Sequence, residues 1–443
     1  MLVNIHKLRY IFLFLVTVSA VTTAKSQQIW TLQQCLDTAQ LNNKNLQIGR
    51  NNVLIGEQKH AEAKSNLIPK INATADYRYY MELPYQYMPL SAFDGPEGQF
   101  KQIQFGVPNT INANLQLTMP LYNPQIYGAI QTSKIAGELT ELQYQKTEEQ
   151  IYFEISSLYY NARILYHQLV FIDSNLVNSK RLLNTIKLLN NQLLATGNDV
   201  NKVQLQLEQL TTQKEFVSSN YEQVINALKF SMGIGMDQPI EIDPNIVYQK
   251  NIEYTSVPSI DIRLANTQFM ILESEMRTLK NSRLPSLALY GSYGTNGYGY
   301  YEKPNEFLEF HPIGFAGVQL SIPLFNGTTT RKKIKQKNIE LQNSQLQVSL
   351  LTDQNNMLVK NASQKRRVAQ SSVSTISKQI ELAKSVYVQT VLQQKQGVAN
   401  LTEVLLADNA LNEAQQNYLS AVIDYLRADL ELKKLSGNLT FNN

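Results

Sequence analysis

A single apolar stripe constrains this chain more than any other feature. From Ile151 to Leu193 side chains recur at alternating steps of four and three residues, and most of them are apolar. That spacing is typical of a left-handed coiled-coil seam. No proline falls between Pro124 and Gly197, so an uninterrupted helix over that span would be about 110 Å long. The seam positions are Ile151, Ile155, Leu158, Ala162, Leu165, Leu169, Ile172, Leu176, Ser179, Leu183, Ile186, Asn190 and Leu193.

The pattern recurs about two hundred residues later, in a more polar form that runs from Leu351 to Val386. The segment Met119–Asn123 matches Ile322–Asn326, and we match Gly197 with Gly397. Downstream positions match at an offset of 204. The sequence therefore predicts two structural repeats of about 200 residues. We divide the chain into a signal peptide (1–24), a first repeat (25–232), a linker (233–258), a second repeat (259–436) and a disordered tail (437–443).

The first residues are typical of a secretory signal peptide. Lys7 and Arg9 precede the apolar run 11–18, and small residues follow up to Ala24. Charged residues make up 17 % of the chain and the mean hydropathy is −0.27, values that favour neither disorder nor a helical membrane protein. The formal charge is only +4, and cleavage would lower it by two. We therefore predict no nucleic-acid partner.

The only cysteine is Cys35, so an exported chain has no internal disulfide. We interpret Cys35 as a buried thiol, because it shares an apolar helical face with Leu32 and Leu36; lipid attachment is the alternative. Thr31 and Gln34 have the spacing of a capping box. They predict the start of a helix that continues to Pro69.

After Pro69 the period changes from helical to two. Four segments alternate apolar and polar side chains and predict strands at 71–80, 111–119, 286–294 and 316–322. We expect a loop at 83–110 and a Gly- and Tyr-rich loop at 294–310. We expect helices from Pro124 to Gly197 and at 200–231, 259–283, 326–396 and 401–436.

Strands of about ten residues have the length that crosses an outer membrane. An open sheet edge is not tolerated in lipid, and four strands are too few to close a barrel. The chain is therefore expected to oligomerise, and a trimer would supply twelve strands. The alternative is a soluble sandwich or a hairpin pair packed on helices. We expect Asn112, Asn114 and Gln116 to face the lumen, and Pro120 and Pro323 to end strands. The lipid-facing residues are predicted to be Ile111, Ala113, Leu115, Leu117, Val318 and Leu320.

No group of residues predicts catalysis, a metal site or a cofactor site. The four His and nine Met are scattered, and no Gly-rich phosphate loop precedes a helix. Two other clusters have two interpretations each. The run Arg331, Lys332, Lys333, Lys335 and Lys337 is either a solvated helix face or a contact with lipid phosphates. An aromatic girdle or simple loop packing would explain Tyr77, Tyr79, Tyr80, Tyr290, Tyr293, Tyr300 and Tyr301.

The order of helix, strand, loop, strand, long helix, Gly break and helix, repeated twice, resembles the TolC family of outer-membrane efflux proteins. The resemblance covers about residues 28–437. It rests on the segments Thr31–Ala39 and Asn42–Asn43, the Pro-Leu-Tyr-Asn and Pro-Leu-Phe-Asn segments at 120–123 and 323–326, and the two Gly breaks.

The resemblance implies a homotrimer in the outer membrane of a Gram-negative bacterium. Its α+β fold would join a 12-stranded β-barrel to a long periplasmic barrel of coiled-coil helices. It further implies passive export of drugs or proteins, through a tripartite efflux or type I secretion system with a periplasmic adaptor and an inner-membrane pump. An exported coiled-coil adhesin or scaffold is the alternative. A periplasmic adaptor fits less well, because adaptors lack paired strands of transmembrane length.

The resemblance also locates a periplasmic entrance, about 100 Å from the strands by helix rise. Gly197 and Gly397 would mark the helix-break tips with positive φ. Pore residues would be Gln394, Asn400 and Glu403, with Glu403 at the first acidic position of the family. Leu406 replaces the second acid. Ala399 replaces an arginine that helps lock the closed entrance in the family.

Overall fold

The computed structural model describes residues 29–246, 253–255, 257–299 and 309–439. The predicted signal peptide, residues 440–443 of the predicted tail, and Tyr300 and Tyr301 lie outside the described residues. The chain forms two compact units, and both halves of the sequence contribute to each. The helical unit comprises residues up to 50, 144–260 and those from 352 onward, and the sheet unit comprises 51–143 and 261–351.

Seven helices and eight strands make up the described part of the chain. The helices are α1 (Leu32–Asn42), α2 (Lys44–Ser65), α3 (Pro124–Asn191), α4 (Gly197–Met232), α5 (Ile260–Asn281), α6 (Thr329–Lys395) and α7 (Leu401–Leu435). The strands are β1 (Ile29–Trp30), β2 (Lys70–Tyr79), β3 (Tyr85–Pro89), β4 (Phe100–Gln104), β5 (Asn109–Tyr122), β6 (Glu241–Ile242), β7 (Ser286–Gly299) and β8 (Glu309–Ser321).

In the helical unit the predicted seam is buried along α3. Ile172 and Leu176 pack with Leu210 and Val217 of α4, while Leu183 and Ile186 form the next cluster. The long helix and its apolar seam are therefore confirmed. The last predicted seam residue is an exception, because Leu193 lies beyond the end of α3 and is 93 % exposed.

The second seam is mostly half-buried along the part of α6 in the helical unit. Ala362 is buried and Ala369 and Ile376 are half-buried, whereas Val386 is exposed. The more polar composition of the second seam agrees with this difference. Its partner helix α7 supplies the apolar face instead, with Val404, Leu411, Val422 and other residues buried.

A second core lies around α1, where the cap of the helix is confirmed. Thr31 and Gln34 form the predicted capping box, and the Cys35 thiol is fully buried. Burial raises the pKa of Cys35 to about 12. The Tyr159 hydroxyl donates to the Trp30 carbonyl over 3.0 Å. Arg163 in turn donates to the Asp243 carbonyl over 3.0 Å, which ties residues of the predicted linker to α3.

The single helix predicted from Thr31 to Pro69 is wrong, because it is interrupted at Asn43. The buried Asn43 side chain accepts from the Asn45 amide at 2.8 Å and donates to the Ser231 carbonyl at 2.7 Å. An Asn side chain that binds nearby backbone competes with helix continuation, and here it also joins the break to α4.

The chain also remains ordered beyond α7. Leu439 is 4 % exposed and belongs to the core around α1, and Asn438 donates to the Thr255 carbonyl at 2.6 Å. The disordered tail predicted for 437–443 is therefore wrong for 437–439.

In the sheet unit, small residues let helices approach closely. A Cβ on Gly128 of α3 would lie 2.1 Å from the Thr278 hydroxyl of α5, so only glycine fits. One turn further, Thr132 and Ser274 are joined by a hydrogen bond of 2.8 Å between their hydroxyls. Among the described residues, no helix is both long enough and apolar enough to span a membrane.

The four long strands form one antiparallel sheet in the order β2-β5-β7-β8. All four predicted strands exist, but three are longer than predicted. Residues 294–299, predicted as loop, belong to β7, the strand β5 continues to Tyr122, and β8 begins at Glu309 instead of 316. Pro120 therefore does not end its strand: it pairs with Ala288 at a register shift. Pro323 does follow the end of β8.

The predicted loop 83–110 contains regular structure as well. Strands β3 and β4 pair antiparallel, with Tyr85 opposite Gln104, and a short 3₁₀ helix (Leu90–Phe93) lies between them. The prolines and glycines that predicted a loop lie in and around this hairpin. They mark its turns correctly, but they do not indicate the two short strands between the turns.

Candidate functional site

The six residues predicted to face lipid share one face of the four-stranded sheet. Side chains directly opposite one another on neighbouring strands point the same way. Leu115 lies between Ala73 and Tyr293. Met119 pairs with Leu289, which pairs with Val318, so the set on β8 continues the set on β5. The face formed by Ile111, Ala113, Leu115, Leu117, Val318 and Leu320 is called the apolar sheet face below.

Half of the residues that define this apolar sheet face are exposed, and Ile111, Ala113 and Leu117 are half-buried. Leu115 is 53 %, Val318 58 % and Leu320 59 % exposed. A contiguous apolar surface that repeats across four strands is rare on a soluble monomer and marks contact with a membrane or another protein.

The opposite sheet face is polar on its first three strands. Asn112 lies between Asp76 and Asn296, and its amide donates to the Asp76 carboxylate over 3.1 Å. Gln116 lies between Asn72 and Ser292. Strand β8 departs from this polarity, because its residues on the polar face include Ile313 and Phe315.

The outer strands of the sheet, β2 and β8, are each paired on one side only within the described chain. Such edges carry unpaired backbone donors and acceptors that readily pair with another strand. Within the described chain, the backbone hydrogen bonding of the sheet is therefore incomplete along its two edges.

The tyrosines do not form one band. Tyr77 and Tyr79 lie on the apolar sheet face near the Asn109 end of β5, whereas Tyr293 lies opposite Leu115 in mid-strand. Tyr290 lies opposite Thr118, near the other end of β5 and on the polar face. A girdle that joins all the described tyrosines is therefore wrong, because the register separates them.

The basic run lies in the first turns of α6. Arg331, Lys332, Lys333 and Lys335 are exposed. Lys337 differs, because its ammonium contacts the Glu275 carboxylate at 3.0 Å and that of Glu340 at 2.5 Å. A hydrogen bond to Glu340 raises the pKa of Lys337. Lys337 is thus neutralised within the protein.

The two turns after the long helices have the same construction at an offset of 204. Leu193 with φ of 61° corresponds to Gly397 with φ of 75°, and the N-cap Thr196 corresponds to Asn400. The match of Gly197 with Gly397 is therefore wrong, and so is the positive φ predicted for Gly197. That glycine is instead the first residue of α4.

Glu403 and Asn400 form a capping box at the second turn. The Asn400 side-chain oxygen accepts from the Glu403 amide at 3.0 Å, and the Glu403 carboxylate accepts from the Asn400 amide at 3.3 Å. Asp199 caps the first turn in the same way, and its hydrogen bonds with Thr196 lower the pKa of Asp199. Gln394 contributes its carbonyl, which accepts from the Gly397 amide at 3.0 Å.

A buried polar cluster that was not predicted from the sequence lies between α3, α4 and α7. Asp408 is 4 % exposed and accepts from the Gln206 side-chain amide at 2.5 Å. Asn175 donates to Gln415 at 3.0 Å and also bonds Asn412. The signal was present in the sequence, because Asp408 interrupts the apolar period between Val404 and Leu411 of α7.

Asp408 stands out because its environment leaves it partly unsatisfied. Within the described part of the chain, one carboxylate oxygen of Asp408 and the side-chain oxygen of Gln206 are buried with no hydrogen-bond partner. Burial raises the pKa of Asp408, and the bonds from Gln206 and Asn412 oppose the shift. Elsewhere in the described residues, no group of three or more His, Cys, Asp or Glu is placed to hold a metal ion.

These features agree with comparisons to known proteins. Residues 259–438 match the family model described as outer membrane efflux protein. The chain is 19 % identical over 425 residues to the outer membrane protein TolC of Salmonella enteritidis, and the match covers 93 % of this chain and 83 % of that protein. It is 20 % identical to TolC of Escherichia coli, with the same coverage.

Solved structures show the same fold. The outer membrane protein VceC of Vibrio cholerae superposes with a TM-score of 0.76 at 14 % identity, covering 93 % of this chain and 96 % of that one. The open state of the Neisseria gonorrhoeae MtrE outer membrane channel gives a TM-score of 0.72 at 17 % identity, covering 92 % and 89 %.

By sequence the chain is similar to outer membrane efflux proteins, and its fold is that of solved outer-membrane channels. The predicted resemblance to the TolC family is therefore confirmed.

Proposed function

We propose that this chain is the outer-membrane export duct of a tripartite efflux or type I secretion system. The observation that carries the proposal is the four-stranded sheet with one apolar face, one largely polar face and two unpaired edges. In lipid, such a sheet is stable only if its edges are paired, and pairing β8 of one copy with β2 of the next is antiparallel, as within the sheet. Three copies would give twelve strands.

In this arrangement the apolar sheet face contacts lipid and the polar face lines an aqueous lumen. The helical unit supplies the periplasmic part, and an adaptor and an inner-membrane pump supply substrate and energy. The competing adhesin or scaffold needs no apolar sheet face, since it would be water-soluble. Extraction separates the two: the duct requires detergent and migrates as a trimer, and a monomer released by salt alone would exclude it.

The sheet assignment predicts an asymmetry between adjacent residues. Leu115→Arg puts a charge on the lipid face and should cost about 2–4 kcal/mol near the bilayer midplane. Gln116→Arg is the matched control, and it should assemble nearly normally because its side chain lies in water. Trimer yield in outer-membrane fractions measures both, and equal yields would contradict the assignment.

We further propose that the second helix turn lies at the periplasmic entrance. Three copies of Glu403 around a threefold axis would favour cations. Glu403→Gln keeps the capping box and removes the charge, so cation selectivity in planar bilayers should fall while trimer yield is unchanged. Asp199→Asn is the control at the equivalent position of the first turn. Unchanged selectivity in Glu403→Gln would remove Glu403 from the pore.

A further inference from the structure

A basic cavity with two exposed apolar side chains lies in the segment that follows β8. Its volume is about 360 Å³, and its lining includes Arg283, Arg331, Leu324 and Phe325. Leu324 is 90 % and Phe325 84 % exposed. This combination of guanidinium groups with protruding apolar groups is the amphipathic pattern of a surface that meets lipid at the headgroup level.

The corresponding segment of the first repeat is different. Leu121 and Tyr122 occupy the same places in the Pro-Leu-Tyr-Asn motif, but they belong to β5 and are 43 % and 46 % exposed. The second segment ends its strand earlier and continues through Gly327 and Thr328, both with positive φ. The chain therefore projects Leu324 and Phe325 outward only in the second repeat.

The charge around this cavity is one-sided. Segments 277–299 and 310–339 contain no Asp or Glu. Arg331, Lys332 and Lys333 lie in the first turn or so of α6, where the helix dipole disfavours cations. An uncompensated concentration of positive charge at that end of a helix is best explained by an anionic partner.

We propose that Arg283 and Arg331 bind the phosphate of an anionic glycerophospholipid, while Leu324 and Phe325 contact its acyl chains. The inference rests on the proposed membrane position of the sheet, and it adds the lipid class and the residues that recognise it. Guanidinium groups suit phosphate because they donate planar paired hydrogen bonds.

A second copy of the chain, paired along β8 as proposed above, would not neutralise this surface. That pairing would bring the first residue of the other edge strand, Lys70, toward Arg283 and Arg331, and like charges repel. A lipid phosphate between them would instead compensate all three.

The test titrates the purified full-length protein in detergent with short-chain phosphatidylglycerol and follows the thermal unfolding midpoint. Wild type should be stabilised at lower concentrations of phosphatidylglycerol than of phosphatidylcholine of equal chain length. Each basic group near an anionic surface contributes about 1 kcal/mol, so R283Q/R331Q should raise the half-saturating concentration about 30-fold. R181Q/K187Q, which removes two charges from exposed residues of α3, should leave it unchanged.

Phe325→Gln tests the apolar half of the site separately, and should reduce the dependence of stabilisation on acyl-chain length. Three outcomes would overturn the proposal: an unaltered response in R283Q/R331Q, equal stabilisation by inorganic phosphate alone, or a lower mass of the lipid-free assembly in R283Q/R331Q, which would indicate a contact between copies. Conductance is recorded in parallel. A wild-type protein that responds to lipid but does not conduct would overturn the duct and leave the lipid site standing.

Discussion

The two helix turns of the helical unit solve one problem with different residues. Each turn needs one residue with positive φ and, three residues later, an N-cap side chain. The first turn uses Leu193 and Thr196, and the second uses Gly397 and Asn400. A left-handed residue costs a non-glycine side chain about 1–2 kcal/mol, and Leu193 gains nothing from burial in return, because it is exposed.

The difference shows that capping chemistry, and not glycine, is the shared element of the two turns. Both N-cap side chains accept from the amide three residues on, and both acids at that position bond back to the N-cap amide. Asn190 closes the first turn further, since its side chain donates to the Ala195 carbonyl at 2.8 Å. The first turn can thus hold a strained Leu193 in place.

The largest effect is expected at Gly397. Gly397→Val places a β-branched side chain at φ of 75°, and should destabilise the protein by about 2 kcal/mol or more. Gly197→Val is the matched control. Its position is helical with nothing within 4 Å of an added Cβ, so its unfolding midpoint should hardly change. Equal shifts of the unfolding midpoint in both variants would contradict the difference between the turns.

The next effect concerns Asp408 of α7. At an offset of 204 its equivalent in α4 is Gln204, which carries no charge. Asn at 408 can accept from the Gln206 side-chain nitrogen and donate to the Gln206 side-chain oxygen. The unpartnered carboxylate oxygen is then replaced by a donor, and the unpartnered Gln206 oxygen gains a hydrogen bond. Asp408→Asn should therefore stabilise the protein at pH 8 by about 1–2 kcal/mol.

The same substitution should change the pH dependence. The folded-state pKa of Asp408 is raised, so the folded state binds its proton more tightly than the unfolded state. Its stabilising contribution is complete below the unfolded pKa of about 3.9 and is lost as pH rises through the folded value. Thermal midpoints from pH 4 to 8 should fall less steeply in Asp408→Asn. Parallel curves of thermal midpoint against pH for the two proteins would show that ionisation of Asp408 does not destabilise the folded state.

Removal of the caps should have a smaller effect. Thr196→Ala and Asn400→Ala each remove one side-chain acceptor and should cost about 1 kcal/mol. Local opening, measured by hydrogen exchange at the first amides of α4 and α7, should increase at the mutated turn only. An increase at neither turn would mean that the caps are not limiting.

The smallest change is expected at Leu193. Leu193→Gly removes the left-handed strain but increases the freedom of the unfolded chain, so a net gain of about 0.5 kcal/mol is expected. A loss of stability in urea unfolding would show that the Leu193 side chain makes a contact in the assembled protein.

The long helix and the four strands could be predicted because their apolar periods are local properties of the sequence. The turn alignment failed for a local reason as well. Gly197 and Gly397 were paired by residue type, although Val203 and the residues after it already matched at an offset of 204. An exposed leucine tolerates positive φ at moderate cost, so glycine alone is an unreliable marker of a helix end.

Other features were beyond local patterns. The hydrogen bond between Gln206 and Asp408 spans 202 residues, and the pairing of Lys337 with Glu275 spans 62. The predicted aromatic girdle was wrong because it depended on strand register, which places Tyr290 and Tyr77 at different ends of the sheet. The alternation of side chains alone does not specify that register. The sequence predicted which face of the sheet each strand residue occupies. It did not predict the position of that residue along the strand direction relative to the neighbouring strands.

The buried thiol of Cys35 has a practical consequence for chemical labelling. Its raised pKa and complete burial keep it in the unreactive thiol form at neutral pH, and the chain has no other cysteine. The folded protein with its own sequence therefore has no thiol that reacts readily with maleimide. A cysteine introduced at any exposed position would be the one reactive group in the folded protein, and delayed modification of Cys35 itself would time the opening of the core around α1.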